Sequence, residues 1–153
     1  MKRTMGLTGI GFFVVSMVLM SCAPVQKTIV TQSDLPTLKG TWSGWTTFQA
    51  YMNRSVLTTL EINNATVPLQ GKVIFHKLPG VVAFVMPIPP DAKSVDNSVT
   101  VKFKDGTISD KGTLIGTDGE NSIELTYYGE KKPKFDGSFY AYGLNGKFTV
   151  TKE

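Results

Sequence analysis

The chain has 153 residues, with 16 basic and 12 acidic side chains, one cysteine and one histidine. A lone histidine supports neither a zinc site nor an evident Ser-His-Asp triad, and a lone cysteine forms no internal disulfide. The formal charge of +4 is spread thinly along the sequence, which argues against a nucleic-acid partner.

Met1-Lys2-Arg3 is a short cationic start, and Leu7 to Met20 is an uncharged apolar run. At ~1.5 Å rise per residue that run is too short for a helix crossing a ~30 Å hydrocarbon core. A cationic start, a short apolar core and small residues beyond it predict a secretory signal peptide over 1–21. Leu19-Met20-Ser21-Cys22 at its end resembles the lipobox of bacterial lipoproteins: an aliphatic residue, a tolerant position, a small residue, then the acylated cysteine. The resemblance implies cleavage before Cys22. It also implies diacylglycerol on the Cys22 thiol and an N-acyl chain on the new terminus, with no other cofactor. Two or more acyl chains are enough for stable anchoring. Ala23 rather than Asp follows the cysteine. The family pattern then implies the outer membrane of a Gram-negative cell, or otherwise the outer face of the plasma membrane. Loss of the leader would remove Lys2 and Arg3 and no acid, halving the formal charge.

Residues 22–39 read as a lipid-anchored tether. The segment from Ala23 is polar, carries Pro24 and Pro36, and shows no helical period. Its flexible reach would be on the order of 20 Å.

From Gly40 onward, strands and turns are expected and no helix. Val56, Thr58, Leu60 and Ile62 alternate with Leu57, Thr59 and Glu61, and Leu69, Gly71, Val73 and Phe75 repeat the pattern. Val81 to Met86 is a short apolar run that reads as a strand covered on both faces. Val99 to Phe103, Ile123 to Tyr127, Phe135 to Ala141 and Phe148 to Val150 follow. Asn63-Asn64, Pro79-Gly80, Asp105-Gly106, Asp118-Gly119 and Asn145-Gly146 are the expected turns. The prediction is one all-β domain over 40–153, a small antiparallel barrel of eight or nine strands, with a β-sandwich as the alternative.

Three segments share the form Gly, hydroxyl residue, large apolar, any residue, small. They begin at Gly40, Gly112 and Gly137, the last with Ala141 in the small place. At a period of two, each puts a large side chain between two small ones on one face, as a tapering barrel interior requires. Gly40-Thr41-Trp42 also resembles the Gly-x-Trp opening of the calycins, the lipocalins and avidins. The resemblance implies that Trp42 plugs one barrel end, with Lys147 or Lys152 packed across it.

A membrane-spanning barrel is disfavoured by the charges at Glu61, Lys102, Lys104 and Glu124 on outward faces. Asp105 to Asp110 and Asp118 to Asn121 lack the spacing of a calcium loop. His76 falls on the face opposite the expected core, and Lys131-Lys132-Pro133-Lys134 reads as a solvated turn. No catalytic set stands out, so the chain is read as a non-enzymatic binding or structural module, with a calycin-like carrier of a small hydrophobic ligand and an enzyme with an unrecognised site as the alternatives. The candidate contacts are Trp42, Trp45, Tyr128, Tyr140 and Tyr142, with Ile88 in the stiff Met86-Pro87-Ile88-Pro89-Pro90 exit. Trp42 and Trp45, an odd number of residues apart, should face opposite sides. The expected partners are the membrane, an envelope protein, a cell-wall component, or a small apolar ligand carried inside the barrel.

Overall fold

The computed structural model describes residues 26–48, 54–80, 87–129 and 132–153. Eight antiparallel strands form a closed barrel in sequence order. They are β1 (Gly40–Phe48), β2 (Arg54–Ile62), β3 (Leu69–Phe75), β4 (Val99–Ile108), β5 (Leu114–Asp118), β6 (Asn121–Tyr128), β7 (Lys134–Ala141) and β8 (Leu144–Lys152). β1 closes on β8, from Trp42 opposite Lys152 to Thr47 opposite Lys147. The expected barrel forms and the sandwich does not. Cys22 and the expected strand at Val81–Met86 lie outside the described residues.

Alternation decides which side chains go inside. In β3, Leu69, Gly71, Val73 and Phe75 are buried while the residues between them are not. The interior is filled by rings, including Trp42, Phe48, Phe75, Phe103, Phe135 and Phe148, all buried. Full burial of each such side chain contributes roughly 1.5–3 kcal/mol. Inward glycines make the space. A Cβ on Gly137 would lie 2.4 Å from the Phe148 ring, and one on Gly116 would lie 2.7 Å from the Phe103 ring. The second and third repeats thus give small-against-large packing at Gly116 and Gly137, whereas Gly44 in the first lies against the Thr149 and Val150 backbone and Gly112 against the chain at Ile29 and Val30.

Two expected turns are strand interior instead. Asp105-Gly106 lies within β4, where Gly106 pairs with Leu69 across a register shift. A Cβ there would come within 2.6 Å of the Leu69 side chain, so this glycine serves close strand approach rather than chain reversal. Asn145-Gly146 lies within β8. The reversal before it falls on Tyr142-Gly143, with φ of 53° and 79°, the left-handed pair that a tight hairpin of type I′ requires. Gly119, with φ 61°, does sit in the hairpin between β5 and β6, as expected.

The larger correction concerns the tether. Its described part, 26–39, is docked on the barrel. Val30 is 2%, Leu35 1% and Leu38 0% exposed. The Thr28 amide donates to the Tyr127 carbonyl at 2.9 Å and the Val30 amide to that of Gly112 at 3.2 Å. A 3-10 turn, Gln32–Asp34, leads into a single helical turn, α1 (Leu35–Leu38). Asp34 fastens its start by accepting from the Thr31 amide and hydroxyl, both at 2.8 Å. The segment is a strap that closes one barrel end. Its three anchoring side chains fall at irregular spacing, so no periodicity announces them.

Candidate functional site

At the strapped end, Trp42 stands in the barrel with no exposed surface. Its indole N–H donates to the Leu38 carbonyl at 3.0 Å. The rings of Phe135 and Tyr127 meet it edge-on at 4.6 and 6.1 Å between centroids. The Lys152 ammonium lies 5.5 Å from the Trp42 ring centre and also donates to the Thr37 carbonyl on the strap. The plug arrangement therefore takes Lys152 as its basic residue. Lys147 is exposed on the outer wall instead. Trp42 is correspondingly removed from the candidate contacts, because the strap, two rings and a lysine cover it.

Trp45 faces the other way and is 59% exposed. It stands on a groove of about 590 Å3 running over the outer wall of β1, β8, β7 and β6. A second depression of about 440 Å3, edged by Tyr140 and Ile115, joins it and shares Glu124, Ser138 and Lys147 with it. Both are shallow and open to solvent along their length, so a molecule lying in them would be covered on one side only. The register explains the groove's make-up. One row across the strands reads Trp45, Thr149, Asp136, Thr126, and the next reads Thr47, Lys147, Ser138, Glu124, Ile115. Short hydroxyl side chains alternate with charged ones along these rows, with Trp45 and Ile115 at their ends.

Within the groove, Asp136 is held in place from two sides. Lys134 donates to one carboxylate oxygen at 3.0 Å and Thr149 to the other at 2.8 Å. Lys134 in turn sits 4.6 Å over the Tyr128 ring, which puts Tyr128 behind the groove's lower edge. Glu124 and Lys147 flank Ser138 on neighbouring strands and make no ion pair with each other. Tyr140, 47% exposed, ends the groove at the far side. Trp45 and Tyr140 are thus brought to one surface.

The remaining candidates fall elsewhere. Tyr142 turns away and donates its hydroxyl to the Thr100 carbonyl at 3.4 Å on β4. Burial pushes its phenol above the usual tyrosine range, with a hydrogen bond to Asn121 pulling the other way and the charges of Asp91 and Asp118 adding to the rise. Ile88 is half-buried and packs against the core. His76 is partly exposed, its Nε2 2.9 Å from the Thr59 hydroxyl on the neighbouring strand. Ser138 and Asp136 went unmarked as contacts, Lys147 was marked only as a partner for Trp42 and Glu124 only as an outward charge, because each is an ordinary strand residue and only the register assembles them.

The interior offers much less room than the wall. The enclosed space beside Phe103, lined by Leu69, Leu114, Ile123 and Leu125, amounts to about 10 Å3. A single water needs roughly 10–15 Å3 and polar partners besides. Among the described residues no group of three or more His, Cys, Asp or Glu side chains is placed to hold a metal ion. No protein-family model, curated protein or solved structure matches the chain.

Proposed function

We propose that this chain is an exported lipoprotein, anchored through Cys22, whose barrel acts as a non-catalytic binding module with its outer wall as the working surface. One contrast carries the reading. Among the described residues the barrel interior is packed with buried rings and its cavity beside Phe103 holds about 10 Å3, whereas the outer wall carries an exposed tryptophan on a shallow, open groove. Exposed aromatics at a concave surface are what binding surfaces are enriched in. The anchor rests on the order of charge, apolar run and Leu19-Met20-Ser21-Cys22 in the sequence. The strap begins near Tyr127 and Gly112, at the barrel end opposite the Tyr142-Gly143 hairpin. A lipid at Cys22 would hold that end toward the membrane and leave the wall open to the side. A carrier for a small apolar ligand would need a chamber, and the packed rings leave it little space.

Metabolic labelling with palmitate, combined with membrane fractionation of wild type and Cys22→Ala, tests the anchor. Label and membrane association should both be lost in the variant; their retention refutes the anchor. Native mass spectrometry of the purified protein tests the filled interior. A co-purifying apolar molecule beyond the Cys22 lipid would overturn the surface reading in favour of the carrier.

A further inference from the structure

We infer that the outer groove binds a chain of linked pyranose sugars, stacked on Trp45 and Tyr140. The inference rests on the surface-binding reading and adds the ligand class. Trp45 and Tyr140 are 59% and 47% exposed, and each leaves ring surface in water on a wall of hydroxyls and charges in which Leu57, opposite Trp45, and Ile115 are the other exposed apolar side chains. A pyranose fits such a ring because one of its faces presents only C–H bonds, while its hydroxyls project from the rim. The C–H face gains dispersion contact and sheds water against the ring.

The groove supplies what that rim needs. Ser138, Thr149, Thr47 and Thr126 all line the groove, and a serine or threonine hydroxyl both donates and accepts. Sugar hydroxyls make the same double demand. Asp136 is already oriented by Lys134 and Thr149, and its carboxylate keeps lone pairs for further donors. Glu124 and Lys147 stand on either side of Ser138, an acceptor and a donor placed to take neighbouring hydroxyls on one ring.

Other ligand classes fit less well. A peptide recognised by strand addition needs a free sheet edge, and β6, β7, β8 and β1 are paired on both sides along this wall. A polyanion needs an excess of bases, but Lys134 and Lys147 are matched by Asp136 and Glu124. A wholly apolar ligand would leave the groove's hydroxyls without partners. Trp45 and Tyr140 are two strands apart and four residues offset, which at ~4.8 Å per strand and ~3.4 Å per residue is roughly 17 Å. That distance suits several linked rings rather than one.

The test uses the full chain, purified in a detergent without a sugar headgroup. Two probes, a tetramer of β-linked N-acetylglucosamine and a tetramer of β-linked glucose, are titrated by calorimetry and tryptophan fluorescence. Trp42 is buried, so a fluorescence change reports Trp45. Saturable binding of at least one tetramer is expected, and whichever binds tighter distinguishes an acetylated wall glycan from a plain glucan. Trp45→Ala and Tyr140→Ala should each weaken binding at least tenfold, with the urea midpoint unchanged because both side chains are exposed. Absence of saturable binding by both tetramers up to about 10 mM, beyond the weakest range that specific sites usually occupy, overturns the inference. So does binding that survives both substitutions. Either result leaves the anchor standing if Cys22→Ala still releases the protein from membranes, so the two readings fail separately.

Discussion

Leu38→Ala measures whether the strap is part of the folded domain. Leu38 has no exposed surface, and its carbonyl receives the Trp42 indole N–H at 3.0 Å. The substitution keeps that carbonyl and removes only the side chain, so it isolates packing. Fully buried leucine-to-alanine changes cost about 2–5 kcal/mol, the lower figures belonging to sites that can collapse onto the gap. Leu38 belongs to the same buried cluster as Trp42, whose indole is wedged against Phe135 at 4.6 Å and has little room to shift. Leu38 itself sits on one helical turn of the strap, which is tied to the barrel by Thr28 and Val30. Partial collapse is open to the strap but not to the indole, so about 3 kcal/mol is expected. For a domain of this size that lowers the melting temperature by roughly 10 °C. Urea unfolding followed by tryptophan fluorescence reads the change, with an unaltered slope showing that the same surface is exposed on unfolding. Leu57→Ala, at a side chain 45% exposed on the outer wall, is the control and should stay near ±0.5 kcal/mol. Equal midpoints for the two variants would refute the strap and restore a free tether.

Two further predictions come from polar groups. Thr46 and Thr58 are both fully buried and 2.7 Å apart, and Thr58 also donates to the Val56 carbonyl at 3.0 Å. The one Thr58 proton is therefore committed, and Thr46 must be the donor between them. Thr58→Val strands that donor and should cost about 1–3 kcal/mol, whereas Thr46→Val strands none and should cost clearly less; equal losses in denaturant melts would refute the assigned direction. Asp96 accepts from the Ser94 hydroxyl first and then the Ser98 amide, which hold its carboxyl down to about 2 from an ordinary 3.8. The depressed value means its contribution to the 94–98 turn is complete above pH 3.8 and is lost as pH falls through about 2. Carboxyl NMR titration of Asp96 checks this, and a midpoint near 3.8 would refute it.

The barrel was legible because period two is a local signal and its cause is global. Leu69, Val73 and Phe75 must face one way for the core to close, so their alternation survives any detail of the strand ends. The turns were less legible, since glycine marks several different needs. At Gly143 it permits a left-handed backbone, but at Gly106 and Gly146 it yields space to Leu69 and to the Phe139 ring. Dipeptides such as Asn145-Gly146 look alike in both situations. The strap was hidden for another reason. Val30, Leu35 and Leu38 bury themselves through a loop and one helical turn, and no single period connects them.

The groove shows the same limit in its sharpest form. Trp45 could be placed outside from its odd separation from Trp42, because inside and outside need only one strand. Which residues stand beside it depends on how β1 meets β8 and β8 meets β7. Thr149 and Asp136 come next to Trp45 only because β1 closes on β8 in the register that sets Trp42 against Lys152. That register is tied at the strapped end, where Lys152 reaches both the Trp42 ring and the Thr37 carbonyl. A slip by one residue would turn Lys152 away from the plug and would also put Val150 and Phe148 on the outer wall. The plug and the groove are thus two readouts of one strand pairing. The residues that bury the barrel's end also determine which side chains line the groove on its wall.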